Sequence, residues 1–195
     1  MNFVKAKKEL LDKLESFDKS KKGSIDKRII PVMNKINSLD DYYTTSSCSG
    51  RIFLLEREDD SSKHVAEWIF MTHELADKQD VVKSLEELPK KRVWFRQEGP
   101  ILHIACANVE AAQKIINLAK LTGYKRAGAF NLDSKIIVEI VSSETIEAPI
   151  SENKKLLVSK EYVEYLVEQA NKKLSKSWKR LEEFEKQIEE LGENR

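Results

Sequence analysis

The sequence predicts an α+β fold: a mixed β-sheet with packed helices, a helical N-terminus and one long C-terminal helix. Three observations carry that class. The middle of the chain orders its elements β-β-α-β-β-α-β-β, which groups strands in pairs instead of alternating single strands with helices. No G-x-G-x-x-G follows a strand and no Walker A sequence occurs, so a doubly wound nucleotide-binding sheet is not expected. Beyond Ser159 a single apolar stripe of helical period runs through Tyr162, Leu166, Ala170, Leu174, Trp178, Leu181, Phe184 and Ile188. One domain is expected over residues 1–195, with N-terminal helices in 1–40, an α/β core in 44–150 and the last helix in 159–191.

The elements follow from local pattern. A first helix is expected from Phe3 to Phe17, with Val4, Leu10, Leu11 and Leu14 toward the core. Lys21-Lys22-Gly23-Ser24 ends it, and Ser24 caps a second helix whose apolar face is Ile29, Ile30, Val32, Met33 and Ile36, with Pro31 in its first turns. Thr44 to Arg51 is polar and predicts a loop, followed by a strand at Ile52–Leu55 and another from Ala66 to Thr72. A short helix spans Lys78 to Leu88 and stops at Pro89. Strands at Val93–Arg96 and Ile101–Cys106 flank the turn Glu98-Gly99-Pro100. Asn108 and Gly123 bracket an amphipathic helix from Val109 to Leu121. Strands at Lys125–Phe130 and Ile136–Val141 enclose a turn at Asn131 to Ser134, and Thr145 to Leu157 is expected as a connector.

Composition narrows the function classes. Hydrophobic residues are 41% and charged residues 34%, enough for a core and a solvated surface. The net charge of +1 gives no overall pull toward nucleic acid, so an RNA site requires a local basic patch. The two cysteines, Cys48 and Cys106, are too few for a disulfide framework and suit a reducing cytoplasm. No apolar run reaches membrane-spanning length, no signal peptide is evident, and no Cys/His pairing has zinc spacing, so neither membrane nor metal is expected.

The segment richest in chemistry is Ser46-Ser47-Cys48-Ser49-Gly50-Arg51. Hydroxyls and backbone N–H groups there can face an anion, with Arg51 as a bidentate partner for carboxylate or phosphate. A turn with a solvated arginine explains the same residues. His73 ends a strand, where a side chain can leave the sheet, whereas His103 lies inside Ile101-Leu102-His103-Ile104, where a hydrogen-bonded core histidine is the ordinary alternative. His64, beside Lys63, is expected to be exposed, and Cys48 has no neighbouring base in sequence. On the last helix Lys172, Lys176 and either Lys179 or Arg180 share a face, either a phosphate-contacting stripe or a solvated one.

Thr45-Ser46-Ser47-Cys48-Ser49-Gly50-Arg51 resembles the signature of the wybutosine-synthesis tRNA methyltransferase family, whose members act after the aminocarboxypropyl transferase. Further segments resemble that family in its order: Trp68 to His73, Pro100 to Cys106, Ile146-Glu147-Ala148-Pro149-Ile150, and Tyr165 through Lys172 with Arg180 and Phe184. Three departures occur. Gly99 separates Glu98 from Pro100, Lys125-Arg126-Ala127-Gly128 lacks a polar member, and no arginine stands between Val138 and Ser142.

The resemblance implies methyl transfer from S-adenosylmethionine to N4 of the tricyclic base 3′ of the anticodon in phenylalanine tRNA, on a fold that is not a standard Rossmann methyltransferase. It implies His73 and His103 as catalytic candidates. For cofactor or substrate it implies Ser46, Ser47, Cys48, Ser49, Gly50, Arg51, Trp68 and Arg126; for RNA, Lys172, Lys176 and Arg180. Two other classes predict different behaviour: a non-catalytic tRNA-binding module would bind tRNA without the cofactor, and a metabolite- or nucleotide-binding regulatory protein would ignore tRNA.

Overall fold

The computed structural model describes residues 2–18, 26–57, 67–132 and 135–193. The expected turn at residues 21–24 with its Ser24 cap, the inward side of Leu14, the Lys63–His64 stretch, the Ala66 strand start and the Ser134 turn end lie outside the described features. The class is α+β, as expected, but the strands divide between two sheets, and every pairing is antiparallel. The chain forms two compact units, and each is described by itself.

Unit 1 comprises residues 1–49, 100–143 and 178–195. Its sheet runs in the order β1 (Tyr42–Cys48), β5 (Ile101–Cys106), β7 (Ile136–Val141), β6 (Arg126–Asn131). One face supplies Tyr42, Leu102, Ile104, Cys106, Val138 and Ile140 to the main core. Helix α2 (Ile30–Ser38), helix α4 (Val109–Leu121) and the end of α5 (Lys160–Glu193) cover that face with Val32, Ile36, Ile115, Ala119, Leu181, Phe184 and Ile188. On the second face, Phe3, Ala6 and Leu10 of α1 (Phe3–Asp18) pack on Tyr43, Ala105 and Ile137. Val4, expected to face inward, is 73% exposed, because the helix turns its Phe3/Ala6/Leu10 stripe to the sheet instead. Asn108 caps α4 by accepting from the Ala111 amide at 2.8 Å, and Pro31 stands in the first turn of α2, which begins at Ile30 and not near Ser24 as expected.

Unit 2 comprises residues 50–99 and 144–177. Its sheet order is β3 (Glu67–Thr72), β2 (Arg51–Glu56), β4 (Val93–Glu98), β8 (Ile146–Glu152), β9 (Lys155–Leu156). Ile52, Leu54, Val93, Phe95 and Ile150 are buried on one face, as are Val163, Leu166, Val167, Ala170 and Leu174 along the first half of α5. Helix α3 (Lys78–Lys83) is shorter than the Lys78–Leu88 segment expected, and Asp77 caps it by accepting from the Gln79 and Asp80 amides. Asn171 ties α5 to the stretch before α3 through two bonds of 2.9 Å, to the Ala76 amide and carbonyl.

Two segments expected as irregular are strands. Thr44 to Ser47 belongs to β1, because pairing with β5 satisfies its backbone while its hydroxyls hide the period-two pattern. The connector from Thr145 holds β8 and β9, joined by a turn with Asn153 (φ 52) and Lys154 (φ 61) both left-handed, the hairpin geometry whose twist matches paired strands. Pro149 is accommodated at the β-bulge between Val93 and Trp94.

Candidate active site

In unit 1 the antiparallel register sorts the expected site residues by face. Ser46, His103, Glu139 and Gly128 stand directly opposite one another across the four strands, and Cys48, Ile101, Val141 and Arg126 form the next row. Opposed residues of antiparallel strands share a face, so Ser46, Cys48, His103 and Arg126 are brought together on the face away from α2 and α4. His103 Nε2 is 2.8 Å from Glu139 Oε2, and the Phe130 ring lies 5.7 Å from the imidazole. Ser47, out of phase with these, sits opposite Leu102, and its buried hydroxyl has no hydrogen-bond partner among the described residues. Ser49 is fully buried and structural: its amide and hydroxyl donate to the Asp26 carboxylate, and its carbonyl accepts from Trp178 Nε1 at 2.9 Å. Cys106 is buried beside Asp41, and desolvation pushes its thiol up to about 12, so it carries no thiolate chemistry at neutral pH. Burial likewise raises the Tyr124 hydroxyl.

Between Ser49 and Gly50 the chain passes from unit 1 to unit 2. Gly50 has φ 99, and a Cβ there would stand 2.7 Å from the Glu98 carbonyl oxygen and 2.7 Å from Leu174 Cδ1. Its carbonyl is 2.9 Å from His73 Nδ1. A carbonyl only accepts, so Nδ1 carries the proton.

Arg51 opens β2 opposite Glu98, donating to its Oε2 from Nε at 3.1 Å and from Nη2 at 3.0 Å. The guanidinium lies 5.0 Å from the Phe53 ring and 5.1 Å from Trp68, which is 51% exposed. Arg96 pairs with the same Glu98 at 3.5 Å. Glu98 and Glu139 are the partners that sequence inspection missed. Each stands opposite its basic partner in strand register, a relation visible only once the pairing is known. A guanidinium, a carboxylate and an open indole face are the donor, acceptor and stacking types that an amino acid joined to adenosine requires, so the Arg51, Glu98 and Trp68 group fits S-adenosylmethionine chemically. The cavity of about 140 Å³ lined by Leu55, Arg57, Trp94, Arg96 and Glu147 is too small to enclose a ligand of that size.

The basic residues of α5 are more engaged than the sequence implied. Lys172 pairs with Glu168 at 2.6 Å and Lys176 with Glu144 at 3.0 Å, while Lys173 also reaches Glu144 at 3.2 Å. Hydrogen bonds from Lys176 first, and then Lys173, hold the Glu144 carboxyl below the usual carboxylate range. Arg180, in unit 1, lies against the backbone turn at Gly123.

Two antiparallel sheets with histidine, carboxylate and arginine groups on their strands, and no phosphate-binding glycine loop, define an α+β protein outside the doubly wound nucleotide-binding class. The sequence pattern of Methyltransferase TYW3 matches residues 5–190, and the chain belongs to that family of methyl-transferring enzymes. It is 38% identical to a Pyrococcus abyssi protein named tRNA(Phe) 7-((3-amino-3-carboxypropyl)-4-demethylwyosine(37)-N(4))-methyltransferase 1, over 97% of both chains. It is 37% identical to a Danio rerio tRNA wybutosine-synthesizing protein 3 homolog, over 88% of this chain and 69% of the relative. A solved Pyrococcus horikoshii protein superposes with TM-score 0.88 at 35% identity, covering 96% of each chain.

Proposed function

We propose that this chain transfers a methyl group from S-adenosylmethionine to N4 of the aminocarboxypropyl-demethylwyosine base 3′ of the anticodon in tRNA(Phe). The observation that carries this is the family match across residues 5–190. The cofactor, when bound, supplies an electrophilic methyl on its sulfonium. Among this chain's residues, Arg51 anchors a carboxylate or phosphate, Glu98 offers an acceptor for an ammonium, and Trp68 offers an aromatic face. Ser46, Ser47, Cys48, Ser49 and Gly50 shape the strand ends that carry this group, and Arg126 serves the substrate side. His73 and His103 are the two groups able to take a proton from the target nitrogen, each with one ring nitrogen fixed by a partner. Lys172, Lys176 and Arg180 contact tRNA phosphates. No described helix is long and apolar enough to cross a membrane; a tRNA substrate supports a cytoplasmic location.

The test is incubation with methyl-labelled S-adenosylmethionine and tRNA(Phe) bearing the unmethylated base. Label is expected in that tRNA and not in tRNA carrying unmodified guanosine. Absence of label, or equal labelling of both, overturns the proposal.

A further inference from the structure

Gly128 lies in mid-strand, in regular register with Glu139, and outside the left-handed region. The β6 bulge falls after it, between Ala129 and Asn131. A Cβ built there meets no atom of the described residues within 4 Å. Neither backbone nor packing therefore calls for glycine, although glycine weakens a strand interior. Close approach of a ligand is the remaining reason for one. The open space borders two groups suited to an aromatic, proton-bearing ligand. His103 is hydrogen-bonded to Glu139 at 2.8 Å, and Phe130 presents a ring that is 62% exposed.

We propose that the Ser46–His103–Glu139–Gly128 row is the floor on which the target base lies. The base sits over Gly128 and against Phe130. His103 Nδ1 is the proton acceptor, and Glu139 is the positioning residue that fixes the imidazole tautomer. This rests on the methyl-transfer proposal above and names its substrate subsite. The carboxylate accepts from Nε2–H, so the neutral ring keeps its lone pair on Nδ1. As the N4–carbon bond forms and the carbon–sulfur bond breaks, the sulfur keeps the bonding pair and the N4 proton passes to Nδ1. The imidazolium that results is stabilised by Glu139. Other titratable groups among the described residues of this face are Cys48 and Arg126 one row along, and toward the other end Tyr43 with Lys135 5.3 Å from its ring. Phe3, Ala6 and Leu10 of α1 pack on this face.

Three variants test this without disturbing the core. In cofactor-free protein, nitrogen-resolved imidazole spectra should show His103 as the Nε2–H tautomer, and Glu139→Gln should shift that ring toward a mixture of the two tautomers. Single-turnover methylation by Glu139→Gln should fall about 10–100-fold with a shifted pH profile and unchanged tRNA affinity, and Glu139→Asp should recover part of it. Gly128→Val should leave Tm unchanged or higher. It should also weaken binding of tRNA bearing the modified base at least tenfold, read without cofactor, while unmodified tRNA binds as before. An Nδ1–H tautomer, or a Gly128→Val protein that still discriminates modified from unmodified tRNA, overturns the proposal. If wild-type protein binds the modified base but never methylates it, the activity proposal fails while this subsite stands.

Discussion

The two units place their chemistry on sheet faces of opposite character. In unit 2 the groups are saturated. Arg51 spends two donors on Glu98, stacks near Phe53 and Trp68, and shares its carboxylate with Arg96. In unit 1 His103 is fixed at one nitrogen by Glu139, and Gly128, opposite Glu139 on the next strand, faces open space among the described residues. The two histidines show the same contrast. Gly50 holds His73 through Nδ1, and Glu139 holds His103 through Nε2, so the two rings are held at opposite nitrogens. A backbone carbonyl only orients a ring, whereas a carboxylate also stabilises the charged form. The arginine cluster of unit 2 is thus closed on itself by ion pairs, whereas the unit 1 histidine is held by a carboxylate.

The glycines give the sharpest way to break this comparison. Gly50→Ala forces a left-handed alanine whose Cβ meets backbone at 2.7 Å. It should destabilise unit 2 by about 2–4 kcal/mol. Gly128→Ala should lie within about 0.5 kcal/mol of wild type, or gain slightly. Urea titrations of both variants measure this, and equal losses would erase the distinction between a structural glycine and a ligand-facing one.

Next in size is the ion-paired cluster. Arg51→Ala should weaken cofactor or substrate binding by roughly 1.5–3 kcal/mol, the value of a charged hydrogen bond, with the fold retained. Arg51→Lys should recover little, because an ammonium cannot reproduce the guanidinium fork or its stacking. Calorimetric titration of both variants decides it. If Arg51→Ala binds as wild type does, the arginine serves only its pair with Glu98.

How far the site was legible follows from what each residue depends on. Helix α4 with its Asn108 cap, β7, the long α5 and the position of His73 at a strand end rest on local pattern, and all were readable. Glu98 and Glu139 were not, because their roles exist only through cross-strand register between segments distant in sequence. Strand β1 was hidden by its hydroxyl residues, whose alternation carries no hydrophobic contrast. Ser49 resembled a ligand group, yet its partners are Asp26 and Trp178, far away along the chain.

Acid titration is a smaller effect. Lys176 and Lys173 hold the folded Glu144 pKa below its unfolded value. The stability this adds to unit 2 is complete above the unfolded carboxylate pKa. It is lost as pH falls through that value and on through the folded one. Glu144→Gln should therefore lower unit 2 stability at neutral pH and so flatten its decline into the acid range. Thermal melts from pH 7 down to about 3 would show it, and a variant with the wild-type acid slope would remove Glu144 as a source.

The smallest expected effect concerns RNA. Three independent phosphate contacts would set a salt slope near three units of log affinity per log salt. Lys172 and Lys176, however, already face Glu168 and Glu144. Each must trade a carboxylate for a phosphate, and the freed carboxylate then repels the RNA. Neutralising Lys172, Lys176 and Arg180 together should flatten the slope by clearly less than three units. Glu144→Gln should act in the opposite sense, because it releases both Lys173 and Lys176 and so steepens the slope. Salt titrations of tRNA binding with these variants separate the cases. If the triple variant keeps the wild-type slope and Glu144→Gln does not change it, the helix face is an ordinary solvated one and the RNA contacts lie elsewhere on the protein.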